Sequence, residues 1–410
     1  MLKFIKALCA AAVMTVLLCG CSGGVKQASA PAGAKVTLGN ERLSEPEVKT
    51  LLIDKKIGLF TNQSGVDSRL NRTVDKLDGI YKLAAIFVPE HGLLGAVAAG
   101  KKFDDDSYNG IKVYSLYDDD KRPSAKQLKD IDVMVVDIQD VGIRHYTYFS
   151  SLAYIMEECA KEKKKVIVLD RPNPLGGAME GPVLKPEYKS FIGLYALPLR
   201  HGLTIGEFAR YINKEENIGA ELEVVSMKGY KRAMLWPDTG LPWVMTSPQI
   251  PTWETAFYYG VTGAIGDSNL ATGVGTSKPF YFAAASYAKA EEVKARLDAL
   301  KIPGVAFRAA AFSSMTSSQV YQGAEIYLTD LRKVNLPELG YRILTAFREL
   351  YPEKVKFARR GIWAPGSYKI DIALGECSLR EGAECEQTFR RWRLECEDFA
   401  KKAKPYLLYN

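Results

Sequence analysis

The stretch DVMVVDIQDVGIRHYTYFSSLAYIMEECAKEKKKVIVLDRPNP, Asp132 to Pro174, sets two short β-branched runs on either side of an apolar pattern with helical spacing. Strand, helix, strand in that order reads as a parallel βαβ unit. The same strand signal recurs upstream in KIGLFTN (56–62), KLAAIFVPE (82–90) and IKVYSLY (111–117). Their alternation with helix-like stretches predicts an α/β, Rossmann-like domain on a parallel sheet.

In such sheets ligands bind beyond the carboxyl ends of the strands. Those ends turn polar here: Thr61-Asn62-Gln63, Glu90-His91, Asp137 to Asp140, and Asp170-Arg171-Pro172-Asn173. A strand that stays apolar until its last residues places its desolvation cost where a ligand can offset it. Four such ends predict one shared site.

From residue 222 the pattern changes to longer loops, then FYFAAASY, AEEVKARLDAL, GVAFRAAAF and GAEIYLTD, and a terminal helix ending KKAKPYLLYN. This predicts a second, smaller α/β domain over 222–410 after a first over 41–221. Between the two, LWPDTGLPWVMTSPQIPTWETAFYYG follows neither period, and its prolines and aromatics predict an ordered loop packed over something.

At the front, MLKFIKALCAAAVMTVLLCGCSGG combines two lysines, an apolar run too short to cross a bilayer comfortably, and small residues. It reads as an export signal over 1–20. Leu18-Cys19-Gly20-Cys21 resembles a bacterial lipobox, which makes Cys21 the candidate lipidation site, and 21–40 a small-residue tether. The expected location is extracytoplasmic, on a lipid anchor in a bacterial membrane.

Composition adds bounds. The 410 residues are 47% hydrophobic and 25% charged, enough for two globular domains. Without residues 1–20 the chain holds 53 basic against 48 acidic side chains, a net +5 that gives no reason to expect nucleic acid. Cys159, Cys377, Cys385 and Cys396 match no zinc spacing, and export would permit disulfides. No metal or cofactor is expected.

Several motifs tempt. Gly95 to Lys102, GAVAAGKK, approaches a phosphate-binding loop, but it lacks the final Ser or Thr and the following helix. GVGTSKPF, Gly273 to Phe280, is a weaker echo. The three histidines, His91, His145 and His201, show no metal-helix spacing, and His145 is taken as a hydrogen-bonded structural residue. Asp104 to Asp106 and Asp118 to Asp120 read as solvated turns. Thr204-Ile205-Gly206-Glu207 spells a capping box. No GxSxG elbow supports a serine hydrolase.

Glu90 is different, because FVPEHGLLG places it in a Pro-Glu-His-Gly turn with Phe87, Val88, Leu93 and Leu94 around it. General acids are commonly carboxyls in partly apolar surroundings. The plainer reading is a hinge carboxylate bonded to backbone amides.

FVPEHGLLG, SLY, VVDIQDVGIRHYTYFSS, VLDRPNPLGG with EGPVL, PLRHGLTIGE, TGLPWVMTSPQIPT and the closing YLLY resemble, in this order, the NamZ-type exo-β-N-acetylmuramidases. The resemblance runs from about residue 45 to the end of the sequence. It implies a Rossmann-like domain and a smaller α/β domain with the site in the cleft between them. The implied activity is release of N-acetylmuramic acid from the non-reducing ends of peptidoglycan fragments, with Glu90 as the catalytic acid.

Glycoside cleavage usually needs a second carboxylate. Asp137, Asp140 and Asp170 remain open for that role, and the candidate catalytic set is Glu90, His91 and Asp140. Muramic acid carries a lactyl carboxylate, so an arginine fork is expected from Arg144, Arg171 or Arg200, at least one of them free for substrate. An ion pair, such as Arg144 with Asp140, is the alternative for each. The remaining candidate sugar contacts are Asn62, Asp137, Gln139, Tyr146, Asp170, Asn173, His201 and Asn269.

The chain departs from the family pattern at 266–276, where GDSNLATGVGT stands in place of a segment like EGTNLSEGRGT. His145 also stands where an aromatic residue is expected, and SPQIP replaces SPNMP. These changes keep a second reading in play, a lipid-anchored protein that binds wall fragments without cleaving them. A nucleotide-dependent enzyme would need the loop at Gly95 to Lys101.

Overall fold

The computed structural model describes residues 35–98, 100–315, 318–359 and 367–410. The export signal, Cys21 and the tether up to residue 34 lie outside the described residues.

β1 (Lys56–Thr61), β2 (Lys82–Val88), β3 (Asp106–Tyr108), β4 (Ile111–Ser115), β5 (Val133–Asp137), β6 (Lys165–Leu169) and β7 (Leu222–Val225) form one sheet in the order β3-β4-β2-β1-β5-β6-β7. All neighbours are parallel except β3 against β4. Phe60 on β1 lies opposite Phe87 on β2 and Val136 on β5. Both phenylalanines are fully buried, and burial of such a side chain is worth about 1.5–3 kcal/mol. The chain runs outward from β1 through β2 and then returns to β5 on the other side of β1, which makes the β1/β5 edge the topological switch point.

The central strands β1, β2, β5 and β6 are apolar and buried on both faces, as expected where helices cover a parallel sheet. The helix Tyr148–Lys161 connects β5 to β6, and the helix Ile205–Glu215 connects β6 to β7; they meet where Phe149 stacks on Phe208 at 3.9 Å. Thr204 and Glu207 form the expected capping box: Thr204 Oγ1 accepts from the Glu207 N–H at 3.2 Å, and Glu207 Oε2 accepts from the Thr204 N–H at 3.0 Å.

The smaller unit carries β8 (Phe282–Ala285), β9 (Val305–Ser313) and β10 (Val320–Leu328), antiparallel in the order β8-β10-β9. The helices Leu336–Leu350 and Cys385–Ala403 pack beside it around Tyr341, Phe347, Phe389 and Trp392. The four cysteines are free thiols.

Three expectations need correction. The expected boundary at 221/222 cuts off β7, which pairs in parallel with β6 and completes the large sheet. The tether does not reach residue 40. Val36 and Leu38 bury beside Met227, Tyr230 and Trp236, while the Asn40 amide bonds Asp137 inside the sheet. The aperiodic segment after residue 235 also contains a helix, Trp253–Thr262. Most of that helix is buried, so it lacks the polar stripe that marks a surface helix.

Candidate active site

Most polar groups at the strand ends bond to one another. Asp137, fully buried at the tip of β5, accepts two parallel bonds from Arg171, with Nη2 to Oδ2 at 2.9 Å, and further bonds from Thr73 and Asn40. Arg171 gives its remaining reach to the Val66 carbonyl at 2.7 Å. Asp170 accepts from the amides of Arg171 and Gly206 and from the hydroxyls of Thr204 and Tyr409. Burial is the main cause that lifts its carboxyl to about 6, against the hydrogen bonds of Tyr409 and Gly206.

The amides behave likewise. Asn62 bonds the Tyr148 hydroxyl and accepts from Ser64, Gln139 donates to the carbonyls of Asp140 and Pro172, and Asn173 ties Leu175 to Leu203. Asn269 holds the backbone of Lys354 and Lys356 in the smaller unit.

The arginine expectation fails in a specific way, because each of the three is already occupied. Arg144 does not pair with Asp140. It is buried and donates to the carbonyls of Pro182, Leu197, Ala373 and Leu374, so it pins the two units together. Burial lowers its guanidinium to about 9, with Glu376 acting in the opposite sense. Arg200 pairs with Glu180 at 3.0 Å and bonds the Leu175 carbonyl.

Glu90 stands apart from this network. It lines a cavity of about 250 Å³ between the units. The turn after β2 contributes Glu90 and His91, and the segment after β5 contributes His145, Tyr146 and Thr147. Ser247, Gln249 and Ile250 come from the loop over the sheet, and Tyr259, Val274 and Phe280 from the smaller unit. That loop is fastened to the sheet where Gln63 Nε2 donates to the Met245 carbonyl at 2.8 Å and the Tyr148 hydroxyl donates to the Thr246 carbonyl at 2.6 Å.

Glu90 Oε1 accepts from the Gly100 N–H at 2.7 Å, and Oε2 accepts from Thr147 Oγ1 at 3.3 Å. Glycine in the GAVAAGKK run thus serves a carboxylate inside the protein; its Gly100 has φ +73°, where a side chain would be strained. Tyr117 is a further neighbour, its ionisation opposed by burial and then by Glu90.

His91 sits at φ +77°, a left-handed conformation uncommon outside glycine. Its Nδ1 lies 2.7 Å from the Val97 carbonyl and must donate the proton there, so His91 holds the turn. His201 is buried against Phe149; its Nδ1 accepts from the Leu203 N–H, and its Nε2 is 3.5 Å from Asp140 Oδ1. Asp140 Oδ1 also accepts from the Gly142 N–H at 2.7 Å, while its buried Oδ2 makes no hydrogen bond among the described residues.

Tyr146 and His145 form the aromatic wall. Tyr146 meets Tyr148 edge-on at 4.7 Å, and its hydroxyl makes no hydrogen bond of good geometry among the described residues, with Tyr148 and Thr246 its polar neighbours. His145 is not the hydrogen-bonded structural residue expected from sequence: neither ring nitrogen has a partner among the described residues, and the ring packs against Tyr259 at 4.6 Å. Burial, and then Arg144, lower the imidazole to about 3, so it is a neutral ring.

Sequence reasoning brought Glu90, His91 and Tyr146 to this cavity and missed Thr147, Gln249, Tyr259 and Phe280. Thr147 lies inside a quoted motif, yet nothing in its spacing marks it as a partner of Glu90.

Comparison with known proteins places the architecture. A family model described as exo-beta-N-acetylmuramidase NamZ, N-terminal, matches residues 57–254, and its C-terminal counterpart matches 257–409. A relative from Bacillus subtilis (strain 168), peptidoglycan beta-N-acetylmuramidase NamZ, is 41% identical over 387 residues, 92% of each chain. Two DUF1343 family proteins from Bacteroides fragilis NCTC 9343 share the fold. One has a TM-score of 0.82 at 36% identity, covering 92% of this chain and 100% of that one; the other has 0.71 at 25%, covering 92% and 99%. The two models together span nearly all of both units described above, and the chain belongs to the exo-β-N-acetylmuramidase NamZ family.

Proposed function

We propose that this chain is an exo-acting glycosidase that releases N-acetylmuramic acid from the non-reducing ends of peptidoglycan fragments, with Glu90 as the acid that protonates the leaving oxygen. The observation that carries this reading is the contrast among the carboxylates. Asp137 and Asp170 are consumed by internal bonds, whereas Glu90 reaches a cavity between the units and bonds, among the described residues, to the Gly100 amide and the Thr147 hydroxyl, with Tyr117 beside it. An open cavity with Tyr146, Tyr259 and Phe280 in its wall suits one sugar unit entering by its end.

The Gly100 amide and the Thr147 hydroxyl orient the carboxyl from two sides, so little rearrangement is needed at the moment of proton transfer. For the second carboxylate the reading keeps Asp140, because its Oδ2 has no hydrogen bond among the described residues while Asp137 and Asp170 each accept several. Asp140 lies outside the cavity lining, and its charge opposes the ionisation of Tyr146 after burial and Tyr148. Lipidation at Cys21 and an extracytoplasmic site of action belong to the same proposal, since a wall substrate lies outside the cytoplasm.

The test is incubation of the soluble chain, without residues 1–21, with MurNAc-GlcNAc and measurement of free MurNAc. Release supports the reading. Binding of the disaccharide without release would support the fragment-binding protein instead, a reading motivated by the uncharged Gly266, Thr272 and Val274 in the altered segment.

A further inference from the structure

Phe280 has a backbone φ of +72°, which for a bulky residue is a rare and costly conformation. The surroundings hold it there: Thr262 Oγ1 donates to the Phe280 carbonyl at 2.8 Å, and the Tyr259 ring meets the Phe280 ring edge-on at 4.9 Å. Strain of this kind persists only where neighbouring structure over-determines it, and it clusters at ligand sites.

Phe280 also occupies a junction. A second cavity, of about 320 Å³, meets the Glu90 cavity at Val274 and Phe280. Its wall differs from the first: Asp267, Thr272 and Tyr321 bring polar groups, with Gly263 and Gly266 leaving backbone open between them. The Glu90 cavity alone falls short of the roughly 300–1,000 Å³ of a small-molecule site, and the two together fall within it.

We propose that the second cavity receives the sugar on the leaving side of the scissile bond, and that Phe280 is the platform on which that sugar stacks. This rests on the exo-muramidase reading of Glu90. The half-exposed aromatic face suits the apolar face of a pyranose, and the hydroxyls of Thr272 and Tyr321 suit the hydroxyls at its rim.

The experiment compares two substrates that share the muramic acid: MurNAc-GlcNAc, which has a leaving sugar, and the β-glycosyl fluoride of MurNAc, which has none. Phe280→Gly removes the ring and relieves the positive φ; Phe280→Tyr keeps the ring. Because Phe280 also lines the Glu90 cavity, the glycine variant loses activity on both substrates, and the expected result is a loss of kcat/KM on the disaccharide about tenfold greater than on the fluoride, with near wild-type values for the tyrosine variant on both. Should Phe280→Gly melt early, Phe280→Asn, which tolerates positive φ, is held to the same criterion. Equal losses on both substrates, or no loss on the disaccharide, overturn the platform. A wild-type chain inactive on both substrates overturns the exo-muramidase reading itself, and the platform with it.

Discussion

Arg171 grips Asp137 through two parallel hydrogen bonds at the carboxyl end of β5, with both side chains out of contact with solvent. That pair accounts for much of the polar density that marks the strand ends in the sequence. Removing one partner strands a buried charge, so Arg171→Met is expected to cost about 3–5 kcal/mol of stability. Urea unfolding checks the loss. The KM of the fraction that remains folded should be unchanged, and a large rise in KM with normal stability would restore Arg171 to the substrate site.

Arg144 satisfies four backbone carbonyls drawn from both units. Arg144→Met should lower stability by about 3–4 kcal/mol, since several buried acceptors lose their donor together. In thermal unfolding the variant should also lose the coupling of the two units and show separated transitions. A single transition at the wild-type temperature would contradict the role assigned to it.

His145 carries a sign that can be tested with pH. Its folded value lies near 3 against an ordinary 6.5, so between these values the unfolded chain binds the extra proton. Stability from this group is therefore complete above pH 6.5 and is lost as pH falls toward 3. At pH 4.5 the loss should reach about 2–3 kcal/mol. His145→Phe should remove that part of the acid sensitivity, measured as the change in unfolding free energy between pH 7 and 4.5. Parallel pH dependence in the two chains would show the ring is not held neutral by burial.

Thr147 is the side-chain hydroxyl that reaches Glu90 Oε2. Thr147→Val keeps the shape and removes the donor, and kcat should fall roughly three- to tenfold, the size of one hydrogen bond of about 1 kcal/mol. Steady-state kinetics on MurNAc-GlcNAc, with melting to confirm the fold, decides it. An unchanged kcat would leave the Gly100 amide and the Tyr117 hydroxyl as the groups that orient the acid.

The large sheet was legible because its strands are continuous β-branched runs, a local property. Its last strand and its edge strand β3 were not: LEVV is four residues long and pairs with β6, and DSY, whose Asp106 was expected in a solvated turn, is three residues long and pairs antiparallel with β4. The Pro-Glu-His-Gly turn was legible for a similar reason: a carboxylate and a histidine after an apolar run stand out locally. What sequence could not separate was Glu90 from Asp137. Both end apolar strands, and the difference lies in Asn40, Thr73 and Arg171, which reach Asp137 from 97, 64 and 34 residues away. The left-handed Phe280 left no trace either, because the carbonyl that fixes it bonds Thr262 across 18 residues.

The central claim is that Glu90 supplies the proton for glycoside cleavage. The direct measurement is MurNAc release from MurNAc-GlcNAc by the Glu90→Gln chain beside the unaltered one, both shown by melting to be folded. The account predicts a loss of about 10²–10⁴ in kcat with the fold intact; release at the unaltered rate would contradict it.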